Sequence, residues 1–182
     1  MLLEFRCSNH KSIKEEVVFS MVAGSDNTSE DSLKKFGDTR VLSSAVIYGA
    51  NGSGKSNFID AISFMSALVG TSILFKKGEN AFVQKPHKLS NEDTPTEYSI
   101  QFVKNNIRYA YGFFIKESKL EEEYLYYFNE NTQVEIFERN GMEVELGEEF
   151  KDNLEVIINI LEENRLILSY VANKAIFNKL NT

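Results

Sequence analysis

Three patterns in the sequence predict an α/β fold with an antiparallel hairpin subdomain and C-terminal helices. An apolar run of strand length at residues 41–48 leads through a glycine-rich loop into a helical hydrophobic pattern. Alternating strands separated by turn residues follow in residues 96–146. Apolar stripes at helical spacing occupy residues 153–181. We therefore expect one partial domain over residues 1–182, with the loop and its helix inside residues 1–75.

A β-hairpin is predicted at the N-terminus. Residues 1–6 and 16–22 have the composition of strands, and the polar residues 8–12 between them form a turn. Residues 24–40 are predicted to be a polar surface loop, of a length that is usually mobile or functional. Residues 41–48 then form the strand that precedes the glycine-rich loop.

One amphipathic helix is predicted after that loop. Phe58, Ile62, Met65 and Val69 recur at steps of four, three and four, which is the spacing of one buried helix face. Residues 76–95 contain both prolines of the chain and are predicted to cross the domain without regular structure.

A run of hairpins is predicted next. Strands at residues 98–103 and 107–115 flank a polar turn, and residues 124–128 are apolar on both faces, as a central strand is. Strands at residues 133–139 and 142–146 flank Asn140-Gly141, a dipeptide that suits a two-residue turn because both of its positions need positive φ.

Two apolar stripes predict the C-terminal helical region. Because both stripes have helical spacing, a helix or a close successor is expected to run nearly to residue 182. The first stripe is Leu154, Ile157, Ile158 and Leu161, and the second is Leu168, Val171, Ala172 and Ala175.

Length and composition limit the class of protein. With 182 residues, 42% hydrophobic and 26% charged, the chain has the composition of one globular domain or a piece of one, not of a disordered or collagen-like chain. Cys7 is the only cysteine, which excludes an intrachain disulfide and fits a reducing, cytoplasmic setting. The longest apolar stretches fall far short of the ~20 residues of a membrane span, so neither a signal peptide nor a transmembrane helix is expected.

The charge of the chain is unevenly distributed. The net charge of -7 argues against a protein whose whole surface binds nucleic acid. Residues 116–165, the acidic block, hold 15 acidic and 5 basic residues and so carry a net charge of -10, leaving +3 for the remainder. A nucleic-acid-binding surface is therefore expected only outside the acidic block, which is most simply a solvated polar face.

Residues 49–56, GANGSGKS, match the phosphate-binding pattern G-x-x-x-x-G-K-[ST]. The glycines Gly49, Gly52 and Gly54 permit backbone angles at which successive N–H groups point at a phosphate, and the following helix N-terminus adds positive potential. Lys55, the candidate catalytic residue, would contact the β- and γ-phosphates, and Ser56 would be the Mg²⁺ ligand. The loop therefore predicts a nucleotide site.

The acidic part of a hydrolysis site is not apparent in the sequence. Neither an apolar strand that ends in Asp nor an Asp-Glu pair, which would hold the Mg²⁺ shell, occurs in the chain. Residues 156–163 end in two glutamates, but their hydrophobic period is helical. The guanine-specific motifs of small GTPases are also missing, and hairpins follow the loop where a small-molecule kinase would alternate strands with helices.

Histidines and aromatic residues give weaker signals. Neither His10 nor His87 has companions at metal-ligand spacing, so both are expected to be surface or turn residues. Five aromatic residues could stack on nucleic-acid bases, although their strand period favours the core: Tyr109, Tyr111, Tyr124, Tyr126 and Phe128.

Three segments, in this order, carry a resemblance to a known family. Asn9-His10-Lys11-Ser12 is similar to an Asn-Phe-Lys/Arg-Ser turn, with His10 in place of Phe, and a hairpin partner at residues 17–22 follows. Residues 48–57 are similar to the G-x-N-G-S-G-K-S form of the phosphate loop. Together they resemble the ABC-type ATPases of the SMC, RecF and AAA-type ATP-binding-protein group, which act in DNA repair and bacterial anti-phage defence.

The resemblance implies an ATP and Mg²⁺ site. It also implies partners, namely a C-terminal half or second ATPase head, a homodimer formed on ATP binding, and DNA or a nuclease effector, with no membrane. The Leu-Ser-Gly-Gly signature of that group is absent, so the sequence resembles its N-terminal, ABC ATPase head-like lobe. The implied nucleotide contacts are Gly49, Asn51, Gly52, Ser53, Gly54, Lys55, Ser56 and Asn57, with Lys11 reaching the phosphates from the first turn.

Two functions remain open at this point. The chain is either the nucleotide-binding half of an ATP-gated motor or switch, or a nucleotide-binding or interaction module without turnover of its own. The missing acidic strand motivates the second.

Overall fold

A seven-stranded antiparallel sheet forms the centre of the computed structural model, which describes residues 1–25, 30–79, 82–91, 93–130 and 132–173. The strands follow the order β2-β1-β5-β6-β7-β8-β9, and the predicted α/β class is confirmed. The sheet strands are β1 (Leu2–Ser8), β2 (Val17–Ser20), β5 (Thr96–Lys104), β6 (Ile107–Lys116), β7 (Lys119–Asn129), β8 (Thr132–Asn140) and β9 (Glu143–Leu146).

The three helices lie on one face of this sheet. They are α1 (Lys55–Thr71), α2 (Lys151–Ile158) and α3 (Ile167–Ala172). Side chains of all three pack with alternate residues of β1 and β5–β8 in one hydrophobic core. In β1, for example, Leu3, Phe5 and Cys7 are buried while the residues between them are half-exposed, as a strand with one covered face requires. Burial raises the pKa of the Cys7 thiol to about 11.

The predicted N-terminal hairpin is confirmed, since β1 and β2 pair antiparallel, and β7 is central as expected. The turn at residues 105–106 is also as predicted, with φ of 51° at Asn105 and 61° at Asn106. The last hairpin is shifted by one residue from the prediction. Its two-residue loop is Gly141-Met142, because a single positive φ, 58° at Gly141, is enough for a turn that places glycine first.

The segment before the glycine-rich loop differs from the prediction. Part of the predicted loop 24–40 forms a small hairpin of β3 (Lys34–Phe36) and β4 (Thr39–Val41), while residues 26–29 lie outside the described residues. The predicted strand 41–48 is wrong beyond Val41. The Leu42 N–H donates to the Met21 carbonyl at 2.7 Å, but no described residue forms a strand ladder with residues 42–48. An apolar run without a partner strand cannot form part of a sheet.

The C-terminal region contains a helix and a close successor, which is one of the two arrangements predicted from the apolar stripes. Helices α2 and α3 are separate, and residues 159–166 between them form turns. The predicted residue Ala175 and the rest of residues 174–182 lie outside the described residues. A buried ion pair holds the turns that separate the two helices.

A buried ion pair, Glu123 with Arg139, joins the sheet to these turns. Both side chains are fully buried, and Arg139 Nη1 lies 3.7 Å from a Glu123 carboxylate oxygen. Glu123 accepts the N–H groups of Ile167 at 2.8 Å and Leu168 at 3.0 Å, which are the first N–H groups of α3. Arg139 donates to the carbonyls of Gly141 and Arg165, each at 2.6 Å. The pair therefore fixes where α3 begins.

The protonation of Glu123 reflects opposing effects. Burial raises the pKa of its carboxyl, while the two backbone N–H bonds and the Arg139 guanidinium lower it. We regard the carboxylate as ionised, because a carboxylate that accepts two N–H groups beside a guanidinium is the arrangement that favours charge.

Helix α1 and the turn after it, Lys55–Leu74, are long and apolar enough by length and composition to span a membrane, with a mean hydropathy of 1.4. The uninterrupted apolar stretches of the sequence are too short to reveal this segment, because polar residues are interspersed in it. A core helix meets the same criterion, and α1 buries Phe58, Ala61, Met65 and Leu68 against the sheet.

Candidate functional site

The glycine-rich loop before α1 has a backbone that requires glycine. Gly52 and Gly54 have φ of 81° and 93°, in the left-handed region that other residues rarely adopt. A β-carbon added to Gly49 would lie 2.7 Å from Ser53 Oγ, closer than real contacts allow. Gly52 and Gly54 are thus required by their backbone angles, and Gly49 by the lack of space for a side chain.

The Lys55 side chain folds back over this loop. Its ammonium donates to the carbonyls of Gly49 at 2.8 Å and Ala50 at 2.7 Å, and lies 3.4 Å from Ser53 Oγ. These acceptors are neutral, and no carboxylate of the described residues pairs with Lys55. The positive charge at the loop is therefore not neutralised by a neighbouring acid in the described part of the chain.

The N-terminus of α1 adds to this positive potential. Gly54 is the residue before the helix and provides no side-chain cap, and the first turn holds no acidic residue. The first N–H groups of a helix have no partner within it, so they are available to an anion. They border a cavity of about 340 Å³ lined by residues 51–57. This cradle fits a nucleotide phosphate.

The turn between β1 and β2 contacts the loop directly. Asn57 Nδ2 donates to Ser12 Oγ at 2.7 Å, and the same hydroxyl lies 3.0 Å from where a β-carbon on Gly54 would be. Asn9 and Lys11 have φ of 51° and 52°, and the buried Asn9 amide donates to the Thr94 carbonyl at 2.7 Å. The structure thus brings residues 9–12 together with the loop that follows 40 residues later.

A polar cluster lies where this turn meets α1. Asp60 Oδ2 is 2.5 Å from Lys11 Nζ and 3.0 Å from His10 Nε2, and His10 Nδ1 is 2.7 Å from the Tyr98 hydroxyl. Lys11, which donates to the Asp60 carboxylate, is the main reason that the Asp60 pKa is lowered. Burial lowers the pKa of His10, so the ring is neutral at pH 7.

His10 is therefore not the surface residue that the sequence indicated. It lies in the predicted turn but is only 2% exposed, packed against Phe64 and Tyr98. Spacing rules for metal ligands gave no information about this burial. His87 is half-exposed and lies at a turn, as expected, where its backbone N–H donates to Asn9 Oδ1 at 2.9 Å.

A second cleft, which the sequence did not predict, opens beside the loop. It has a volume of about 460 Å³ and lies between β2 and the loop. Its apolar lining includes Val17, Phe19, Ile47, Tyr48 and Phe58, with Glu15 and Glu16 at its polar part. Ile47 and Tyr48, exposed apolar residues of the segment that the sequence predicted to be a strand, form part of this wall.

Metal-ligating residues are sparse in the described ranges. No group of three His, Cys, Asp or Glu side chains suited to a metal ion occurs among residues 1–25, 30–79, 82–91, 93–130 and 132–173. Residues 156–163 fall in the end of α2 and the turns after it, not in a strand, as their helical period indicated. The predicted metal ligand, Ser56, lies in the first turn of α1 and lines the cavity of the loop.

No curated protein matches the chain significantly. A family model described as "AAA domain, putative AbiEii toxin, Type IV TA system" matches residues 44–174, which include the glycine-rich loop and strands β5–β9. AAA domains bind ATP, typically with Mg²⁺. With most of its length matched, the chain belongs to this AAA family of P-loop ATPases.

Proposed function

We propose that the chain is the ATP·Mg²⁺-binding lobe of an ATPase of the ABC, SMC and RecF type, in which ATP binding brings two heads together. The observation that carries the proposal is the loop at residues 49–56, whose glycine geometry and unneutralised Lys55 lie at the N-terminus of α1. Membership of the AAA family supports ATP as the nucleotide.

In this proposal the loop and the helix N-terminus hold the phosphates. Backbone N–H groups of residues 52–56 donate to the β-phosphate, and Lys55 exchanges two carbonyl acceptors for phosphate oxygens. Asn51 lies towards the γ-phosphate, and Ser56 contributes its hydroxyl to Mg²⁺, which offsets phosphate charge when bound. Asn57 holds the β1–β2 turn, and Lys11 reaches the phosphates only if it leaves Asp60.

The cleft beside the loop is proposed to accept the base and ribose. Its apolar wall suits a planar aromatic ring, and Tyr48, 87% exposed, offers a face for stacking. The carboxylates of Glu15 and Glu16 are acceptors for an exocyclic amino group such as that of adenine.

Hydrolysis is proposed to need groups outside these 182 residues. The sequence contains no Asp-Glu pair after an apolar strand and no Leu-Ser-Gly-Gly signature. In this proposal these motifs are supplied by a C-terminal half or by a second head. The second head could be another copy of the chain, in a homodimer formed on ATP binding. We propose that the closure of the two heads acts on DNA or on an effector such as a nuclease. The proposed setting is the cytoplasm, and the proposed process is DNA repair or anti-phage defence.

Replacing Lys55 tests the proposal. Isothermal titration of ATP·Mg²⁺ should show measurable binding to the wild type and a loss of about 100-fold or more in Lys55→Ala, because the loop loses its main point charge. Lys104→Ala, which removes an exposed lysine of β5, is the matched control and should bind as the wild type does. Equal affinities for wild type and Lys55→Ala would overturn the proposal.

A nucleotide-binding module without turnover is the second candidate. The missing acidic strand favours it. Both candidates predict that phosphate release by the purified 182 residues stays at background, so only the appearance of turnover decides against this one. Turnover that disappears in Lys55→Ala would exclude the module.

A further inference from the structure

The face of the sheet opposite the helices is open to solvent. Neighbouring strands place Tyr124, Glu138 and Glu145 side by side on this open face, with Gly112 next to Tyr124 on the other side. All three helices pack into the core on the opposite face. None of the described helices covers the open face, which lies mainly in the acidic block and apart from the proposed ATP site.

A groove crosses the open face over β7, β8 and β9. It encloses about 350 Å³, and its solvent-facing lining includes four glutamates, two tyrosines and Asn140, above the buried Glu123–Arg139 pair. In the part of the chain that the structure describes, none of the four exposed carboxylates forms an ion pair. The glutamates and tyrosines are Glu122, Tyr124, Tyr126, Glu138, Glu143 and Glu145.

The negative charge of the groove affects the pKa of a neighbouring carboxyl group. Burial and the charges of Glu138 and Glu145 raise the pKa of Glu135, which lies on the same face. Glu138 accepts a hydrogen bond from the Tyr126 hydroxyl at 2.5 Å. A cation in the groove would therefore be attracted by four carboxylates at once.

The tyrosines of the groove form a rigid aromatic surface. Tyr124 and Tyr126 stack with ring centroids 5.1 Å apart and an interplanar angle of 24°. Tyr124 lies over Gly112, where an added β-carbon would be 2.6 Å from Tyr124 Cζ, so glycine is what lets the ring lie flat on the sheet. Further along the same face, the Arg108 guanidinium lies 4.1 Å from the centroid of Phe128.

We propose that the groove is the docking site for an arginine-rich segment of a partner protein. Carboxylates bind guanidinium groups through paired hydrogen bonds, and aromatic faces stack on them, so a surface that offers both selects arginine over lysine. Arg108 on Phe128 is an example of that contact within the chain itself. The same charge repels nucleic acid, so DNA docks elsewhere.

Charge reversal on the open face tests the site. Binding of a fluorescent oligoarginine peptide is measured by anisotropy against the wild type and against Glu143→Lys/Glu145→Lys. The matched control, Asp152→Lys/Glu155→Lys, makes the same change at two exposed acids of α2. We expect a loss of about ten-fold or more in the first variant and under about three-fold in the second. Equal losses would mean unspecific attraction and would overturn the site.

Arginine selectivity is the second readout. The wild type should bind oligoarginine more tightly than oligolysine of equal length, and Tyr126→Leu should reduce that ratio several-fold because the stacking surface shrinks. A ratio near one in the wild type, or a ratio that Tyr126→Leu leaves unchanged, would contradict the proposal. The charge variants alter exposed residues, so they decide the question even if Tyr126→Leu is unstable.

Discussion

The loop at Lys55 and the ion pair at Glu123 hold their charges in opposite ways. Lys55 donates to neutral carbonyls within six residues of itself, next to a cavity. Glu123 and Arg139 are fully buried, and their backbone partners in the α2–α3 region lie 23 to 45 residues away. A charge with weak local partners can be transferred to a ligand, whereas one bonded on all sides holds the fold together.

The largest effect should come from breaking the buried pair. Arg139→Met leaves the Glu123 carboxylate buried without its cation and removes the donors to the α2–α3 turns, which should lower the free energy of unfolding by about 3–5 kcal/mol. Urea denaturation measures it. Lys151→Met, which breaks the exposed 2.6 Å pair with Glu148, should lower it by less than about 1 kcal/mol. Similar losses in the two variants would show that burial does not distinguish these ion pairs.

An intermediate effect is expected at the loop. Gly49→Ala places a methyl group against Ser53 Oγ and should weaken ATP binding by about ten-fold, roughly 1.4 kcal/mol, with little change in stability. Because the obstacle is a single hydroxyl, Gly49→Ala/Ser53→Ala should regain most of the affinity relative to Ser53→Ala alone. Titration calorimetry of the three variants checks this. Failure of the double variant to recover would place the defect in the backbone instead.

The smallest effect concerns Asp60. Its pKa is lower in the folded protein, so its contribution to stability is present above the unfolded pKa of about 4 and is lost as pH falls through the lower folded value. Asp60 is 44% exposed in its side chain, so the pair with Lys11 should contribute less than about 1 kcal/mol. Urea unfolding at pH 7 and below pH 4 should show a smaller pH dependence in Asp60→Asn than in the wild type. An unchanged dependence would exclude Asp60 as its source.

Local signals in the sequence predicted local features well. The hairpin turn at residues 105–106 and the glycine-rich loop follow from backbone angles that few residue types adopt. The prediction of a strand at residues 42–48 was wrong because a strand needs a partner strand, which an apolar pattern does not reveal. Tyr111 is buried in the core as its period indicated, whereas Tyr124 and Tyr126 lie on the open face.

Long-range polar contacts were beyond sequence reasoning. Nothing in the local pattern of Glu123 distinguishes it from its neighbours Glu121 and Glu122, yet it alone of the three is fully buried. His10 likewise has its polar partners, Asp60 and Tyr98, 50 and 88 residues away in the chain. Burial lowers the pKa of its ring, whereas Asp60 acts in the opposite direction. Such pairs become visible only when the fold brings distant residues together.

The burial of Cys7 makes the single thiol of the chain a natural probe of the N-terminal strand. Its strand is hydrogen-bonded on both sides, to β2 and β5, and its thiol has a pKa raised to about 11. A thiol that is both inaccessible and protonated reacts with alkylating reagents only when the strand opens. The rate of labelling therefore reports how often β1, and with it the turn that carries Lys11 and Ser12, separates from the sheet.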